Sequence, residues 1–133
     1  MILDLDLHGG VPIYRQVMDQ VRRQILIGRL APGAQIESVK GLSARLKVNP
    51  MTISKAYGFL VEEGLLERRR GVGLFVRSIR KDVKRRQQDR MLDRAMSKVA
   101  ALAIQMGIPE KEALRLFVNQ YRKFGSPTTR DQP

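Results

Sequence analysis

The stretch Ser38 to Gly64, SVKGLSARLKVNPMTISKAYGFLVEEG, constrains the fold more than any other part of this 133-residue chain. Ser38 is a good helix N-cap, because its hydroxyl accepts from an unpaired amide of the first turn, and Leu42 and Leu46 recur four apart on one face of the helix that follows. Asn49 caps in the same way and precedes Pro50, whose missing N–H costs nothing at a first helical position, so a second helix starts there. Ile53, Ala56, Tyr57 and Leu60 fall at i, i+3, i+4 and i+7 and make one apolar stripe. Gly64 then lets the chain leave through a left-handed conformation. Two short helices joined by a tight turn form the helix-turn-helix pattern.

The flanks extend this pattern on both sides. Ile2 to Leu7 alternates apolar and acidic residues, which suits a short strand or an extended arm ended by Gly9-Gly10. From Pro12 to Gly28, Ile13, Val17, Val21 and Ile25 recur every four residues, and Tyr14 and Met18 widen the stripe, so a first helix of about four turns is expected. Leu30-Ala31-Pro32-Gly33 is a type II turn signal, in which Pro presets one central angle and Gly accepts the positive one. After Gly64 the period changes from helical to strand-like. Leu65 to Arg69 and Leu74 to Arg77 flank Arg70-Gly71-Val72-Gly73, giving a hairpin with a basic, glycine-containing tip directly behind the helix pair. A winged helix-turn-helix domain over residues 1–78 follows.

Charge selects the kind of partner. The chain has 25 Lys and Arg against 13 Asp and Glu, a formal net charge of +12, which favours a polyanion. Between Arg68 and Lys98 twelve basic residues face three acidic ones, so most of the excess lies just after the helix pair. The chain contains no Cys, hence no disulfide or thiolate metal site, and its apolar runs are far short of the roughly 18 residues of a membrane span. The N-terminus has no basic start followed by a long apolar stretch, so no secretory signal is read there and a cytoplasmic location is expected.

Beyond Ser78 a helix runs to about Gln105. Leu92, Val99 and Met106 are spaced by seven, as are Ala95 and Leu102, an a/d seam over roughly two heptads. Gly107-Ile108-Pro109 breaks it, and a last helix carries Ala113, Leu114, Phe117, Tyr121 and Phe124 on one side. These stripes are more apolar surface than a lone helical hairpin hides, so residues 79–125 read as a two-helix dimerisation region, with Leu92, Val99, Leu102, Met106, Leu114, Phe117 and Tyr121 at the contact. The polar segment 126–133 is expected to be a disordered tail. The expected fold is therefore mainly α with one small β-hairpin.

Pro12 to Val76 resembles the DNA-binding domain of the GntR superfamily of bacterial transcription regulators. The matching segments are PIYRQV, GRLAPG, SVKGLSARL, VNPMTISKAYGFLVEEGLL and RRRGVGLFV, in the family's order. The short C-terminal region resembles the YtrA-type subfamily, whose members carry a helix pair there instead of a large effector-binding domain. Glu37 stands where many members have Pro, and Lys40 where many have Arg, so a forked contact becomes a point charge. Pro50 and Ser54 lack the arginines that some other subfamilies carry on the recognition helix, which leaves the operator open.

The helix from Pro50 is the expected reader of the major groove, since helix-turn-helix proteins present the first residues of their second helix to base edges. Asn49, Met51, Thr52, Ser54 and Lys55 are its candidates. Ser38, at a helix N-terminus suited to a phosphate, is a candidate backbone contact; of Lys40 and Arg45, which could both hold phosphates, Lys40 is preferred, because the stem of Arg45 could serve only to cover core. At the wing the candidates are Arg69, Arg70 and Gly71; strand alternation forbids Arg68, Arg69 and Arg70 from all facing one partner. His8, the sole histidine, has no clustered ligands around it, and Ser and His are not arranged with an acid, so neither enzyme activity nor a metal or other cofactor is expected. The function expected is sequence-specific regulation of transcription, as a repressor, by a homodimer on an inverted repeat of double-stranded DNA. An architectural or nonspecific nucleic-acid protein is the first alternative and a protein-binding adaptor the second. A small-molecule effector, if one exists, would bind at the dimer interface or between the two domains.

Overall fold

Tyr57, in the middle of the helix that starts at Pro50, is wholly buried in the computed structural model, which describes residues 1–125. Around it the chain runs α1 (Ile13–Leu26), α2 (Val39–Leu46), α3 (Pro50–Glu62), β1 (Leu66–Arg69), β2 (Gly73–Val76), α4 (Lys81–Gln105) and α5 (Glu110–Gly125). The stripe of α3, Ile53, Ala56, Tyr57 and Leu60, meets Val17, Val21 and Ile25 of α1, Leu42 of α2 and Leu66, Leu74 and Val76 of the hairpin in one core. Truncating a fully buried member such as Leu60 to Ala is of the class that costs about 2–5 kcal/mol.

The helix ends follow local chemistry. Ser38 Oγ accepts from the Gly41 amide at 2.9 Å, and Asn49 Oδ1 accepts from the Met51 amide at 2.8 Å. Each satisfies an amide that has no partner within its own helix. Gly64 leaves α3 at φ +80°, and Gly33 takes φ +85° behind Pro32 in a turn closed by Ala34 N–H donating to Ala31 at 3.0 Å. Gly58 interrupts α3 with an ordinary helical backbone, a choice that costs roughly 1 kcal/mol relative to alanine. Arg22 ties α1 to the end of α3: its Nε and Nη2 donate to both oxygens of Glu63 at 2.9 and 2.5 Å, and its Nη1 to Asp19 at 2.7 Å.

The N-terminal segment is an extended arm, the second of the two expected forms, and its partner is a helix. Gln16, Gln20 and Gln24 project from α1 four residues apart, and their amides bond the arm's backbone. Gln20 accepts from Asp4 N–H at 2.8 Å and donates to the Asp4 carbonyl at 2.6 Å. Gln16 does the same for Asp6, and Gln24 donates to the Ile2 carbonyl. Leu3 and Leu5 point the other way and pack on the core.

The chain divides into two compact units, Met1–Gln88 and the residues from Asp89 onward. The division falls inside α4, beyond the boundary expected at Ser78. Ile79 packs on the core of the first unit, and Gln88 donates to the Leu26 carbonyl at 2.9 Å, one of the acceptors left open at the end of α1. In the second unit α4 ends through Gly107 at φ +71°, and no residue of α4 or α5 is buried. The tail expected to be disordered lies outside the described residues.

Lys47, between α2 and α3, is the one described non-glycine residue with positive φ, at φ 56° and ψ 46°. An L-residue there carries a steric cost of roughly 1–2 kcal/mol. Lys47→Gly should therefore stabilise the chain by about 0.5–1 kcal/mol, seen as a higher urea midpoint at unchanged slope. A lower midpoint would show that the turn carries no such strain.

Candidate nucleic-acid interface

Three surfaces adjoin in sequence and structure around the helix pair: the first turns of α3, the wing, and the start of α2. On α3, Met51 is 78 % exposed and Ser54 is also exposed, so both side chains stand clear of the protein. Thr52 is half-buried. Lys55 is exposed, but its Nζ lies 4.0 Å from the centroid of the Tyr14 ring on α1, and Tyr14 in turn stacks at 5.8 Å on Phe59. Positions 52, 55 and 59 share the side of α3 that turns toward α1, while 51, 54 and 58 share the side that does not. Asn49 spends its side-chain oxygen on the cap.

The wing is wider than a two-stranded hairpin. β1 and β2 pair antiparallel with Leu66 opposite Val76 and Arg69 opposite Gly73. The segment after the Pro32 turn adds a third edge, with Ile36 N–H donating to Leu74 and Val76 N–H to Ala34 at 2.9 and 2.8 Å. Strand alternation then separates the three arginines. Arg69 shares a face with Glu67 and Phe75; it is paired with the first at 3.0 Å and its guanidinium lies 4.0 Å from the centroid of the Phe75 ring. Arg68 falls on the opposite face, the one that carries Leu66 and Leu74 into the core. Arg70 and Gly71 form the exposed tip.

At the start of α2, Ser38 and Val39 line one open groove with Arg68 to Leu74 of the wing. The structure therefore brings Ser38, Arg69, Arg70 and Gly71 together. Lys40 is exposed on the first turn of α2 and does not line that groove. Arg45 is held by Glu37 at 2.8 Å and donates to the Met1 carbonyl at 2.8 Å, in keeping with a structural role. The Arg45 hydrogen bond keeps the Glu37 carboxylate below its ordinary range.

In the second unit the residues expected at a dimer contact are all exposed. Leu92, Val99 and Leu102 lie on α4 and Met106 in the turn directly after it; Leu114, Phe117 and Tyr121 lie on α5, with the last two rings 6.0 Å apart. Met96, Ile104, Leu116, Val118 and Phe124 are exposed as well, Met96 on the side of α4 that carries Leu92 and Val99, and Ile104 and Leu116 on the far sides of their helices.

Residues 13–76 match the family described as bacterial regulatory proteins, gntR family. The chain belongs to the GntR family. It is 36 % identical over 75 residues to the HTH-type transcriptional repressor YtrA of Bacillus subtilis, a match that covers 56 % of this chain and 58 % of that protein. The chain thus matches less than two thirds of that relative's length. Its fold is similar to that of a GntR family transcriptional regulator from Listeria monocytogenes, with a TM-score of 0.75 over 86 % of this chain and 98 % of the other, at 23 % identity. The AraR DNA-binding domain, solved in complex with operator ORX1, is 33 % identical, with a TM-score of 0.51 over 56 % of this chain and 95 % of that one. These relatives are regulators, and a winged helix-turn-helix followed by C-terminal helices is the architecture of this GntR chain.

Two wing glycines are set by different constraints. Gly71 has φ +75° and open space around it. Gly73 has φ +144°, and a Cβ there would fall 2.7 Å from Gln35 Nε2, which itself donates to the Val72 carbonyl at 3.0 Å. Gly71→Ala should cost about 1–2 kcal/mol through its backbone angle alone. Gly73→Ala should cost more, since it adds displacement of the Gln35 amide. Urea denaturation of the two variants checks the order, and a smaller loss for Gly73→Ala would refute it.

Proposed function

We propose that this GntR-family chain is a sequence-specific DNA-binding regulator of transcription that acts as a repressor, a homodimer on an inverted-repeat operator. The observation that carries this reading is the juxtaposition, within one unit, of an α3 whose Met51 and Ser54 stand free and a wing whose tip presents Arg70 and Gly71. An α-helix fits the major groove, and a slim basic hairpin suits the adjacent backbone or minor groove. In this reading Met51 and Ser54 face base edges, Thr52 and Lys55 contact the duplex from the flank of α3 nearer α1, Asn49 sets the start of the reading helix, and Ser38, Lys40, Arg69, Arg70 and Gly71 hold the backbone. The likeness to a domain solved on its operator supports the assignment. Occluding a promoter is the simplest action open to such a dimer.

The net charge of +12 and the exposed basic residues of α4 favour a second reading, nonspecific nucleic-acid binding. Selection of duplexes from a random-sequence pool, with bulk DNA as competitor at raised salt, separates the two. Enrichment of a palindromic motif is expected; recovery of unenriched sequence would leave only the nonspecific reading.

Exposed Leu92, Val99 and Leu102 on α4 and Leu114, Phe117 and Tyr121 on α5 support pairing of two copies through the C-terminal helices. Such pairing would set two α3 helices one DNA turn, roughly 34 Å, or a multiple of it apart. A chain ending at Gln88 keeps the Ile79 and Gln88 contacts of the first unit and should sediment as a folded monomer with much weaker binding to an enriched duplex. The full chain should sediment as a dimer at micromolar concentration. A monomeric full chain, or a truncated dimer, would refute the assignment.

A further inference from the structure

Gly58 has no structural reason to be glycine. Its backbone is ordinary helix, and a Cβ placed on it would meet one neighbour within 4 Å, Arg68 Nη2, at 3.9 Å, which is plain van der Waals contact. Alanine would fit and would strengthen the helix. Gly58 lies on the same side of α3 as Met51 and Ser54, at i+7 and i+4 from them, so the missing side chain leaves a notch in the outward face.

Arg68 occupies the rim of that notch. It reaches there from β1, on the face opposite Arg69, and among the described residues it has neither a hydrogen bond nor an ion pair. Arg69, by contrast, is engaged with Glu67 and Phe75. A guanidinium held beside a helix without a carboxylate partner is a fork of donors for phosphate or a guanine edge.

Resting on the DNA-binding reading above, we propose that Arg68 is a duplex-contacting residue that the wing lends to the reading face of α3, and that Gly58 is the clearance where the duplex comes nearest the helix backbone. Met51, Ser54, Gly58 and Arg68 then form one contiguous contact, and the helix gives up the stability an alanine would add in order to keep it open. Glycine is the residue that admits close approach of another backbone.

The test uses the full chain and a duplex that the unaltered protein has enriched from a random-sequence pool. Gly58→Ala should melt higher than the parent; Gly58→Leu, which fills the notch, and Arg68→Ala should each weaken binding to that duplex at least tenfold while remaining folded. Arg68→Ala should also lower the salt slope by about one if the contact is phosphate, or relax preference at one base position in each half-site if it is a base edge. Arg68→Lys should restore only part of the loss. Lower melting of Gly58→Ala would mean that the fold itself requires the glycine, and unchanged binding by folded Arg68→Ala or Gly58→Leu would mean that the duplex does not reach the notch; either overturns the inference. Failure of the parent protein to enrich any duplex would refute the DNA-binding reading itself and this inference with it, whereas parental enrichment with indifferent variants would refute the notch alone.

Discussion

The arrangement depends on Tyr57. Its ring is sealed in the core and its hydroxyl donates to the Glu37 carbonyl at 2.9 Å, immediately before the residue that caps α2. Burial pushes the phenol well above its usual range, so it remains a donor throughout physiological pH. One side chain therefore joins the apolar burial that seats α3 to a polar contact that places the start of α2. Without that acceptor a buried hydroxyl would be left unsatisfied, a loss of about 1–3 kcal/mol.

Side chains elsewhere take over work that backbone usually does. The Gln16, Gln20 and Gln24 ladder offers donors and acceptors at the rise of a helix turn, about 5.4 Å, and alternate residues of the extended arm accept and donate to it. The arm is thus held as if beside a strand, with Leu3 and Leu5 added to the core and Ile2 left in solvent. Gln88 plays a comparable part at the far end of α1. In each case a long amide pairs backbone groups that have no partner in a helix or strand ladder.

The positive charge of this GntR chain is sorted by whether it has an acid beside it. Arg22 and Arg45 are tied to Glu63 and Glu37 and serve the fold, and Arg69 covers Phe75 beside Glu67. Arg68 and Arg70 carry their charge on the side of α3 and at the wing tip, where no described acid offsets it. Positive charge left without an acid beside it raises the encounter rate with a polyanion, and the contacts then decide which sequence is kept.

Local sequence determined the helix starts, the turns and the core stripe, because caps, Pro-Gly pairs and apolar spacing act over a few residues: Ser38, Asn49, Pro32-Gly33 and the Ile53 to Leu60 stripe all stand where their chemistry requires. It also carried the family, whose signature is a string of such local features. Tertiary structure decided which charges are free. Lys55 and Met51 look equally available along the sequence, and only the packing of α1 puts the Tyr14 ring under one and nothing against the other. Strand period, with Leu66 inward, was enough to place Arg68 opposite Arg69, but its meeting with Gly58 depends on how the hairpin docks on α3. The partner of Arg45, the acceptor for Tyr57 and the packing of Ile79 and Gln88 against the first unit are likewise contacts between residues distant in sequence. No short-range preference encodes these, because they exist only once the core has brought the segments together.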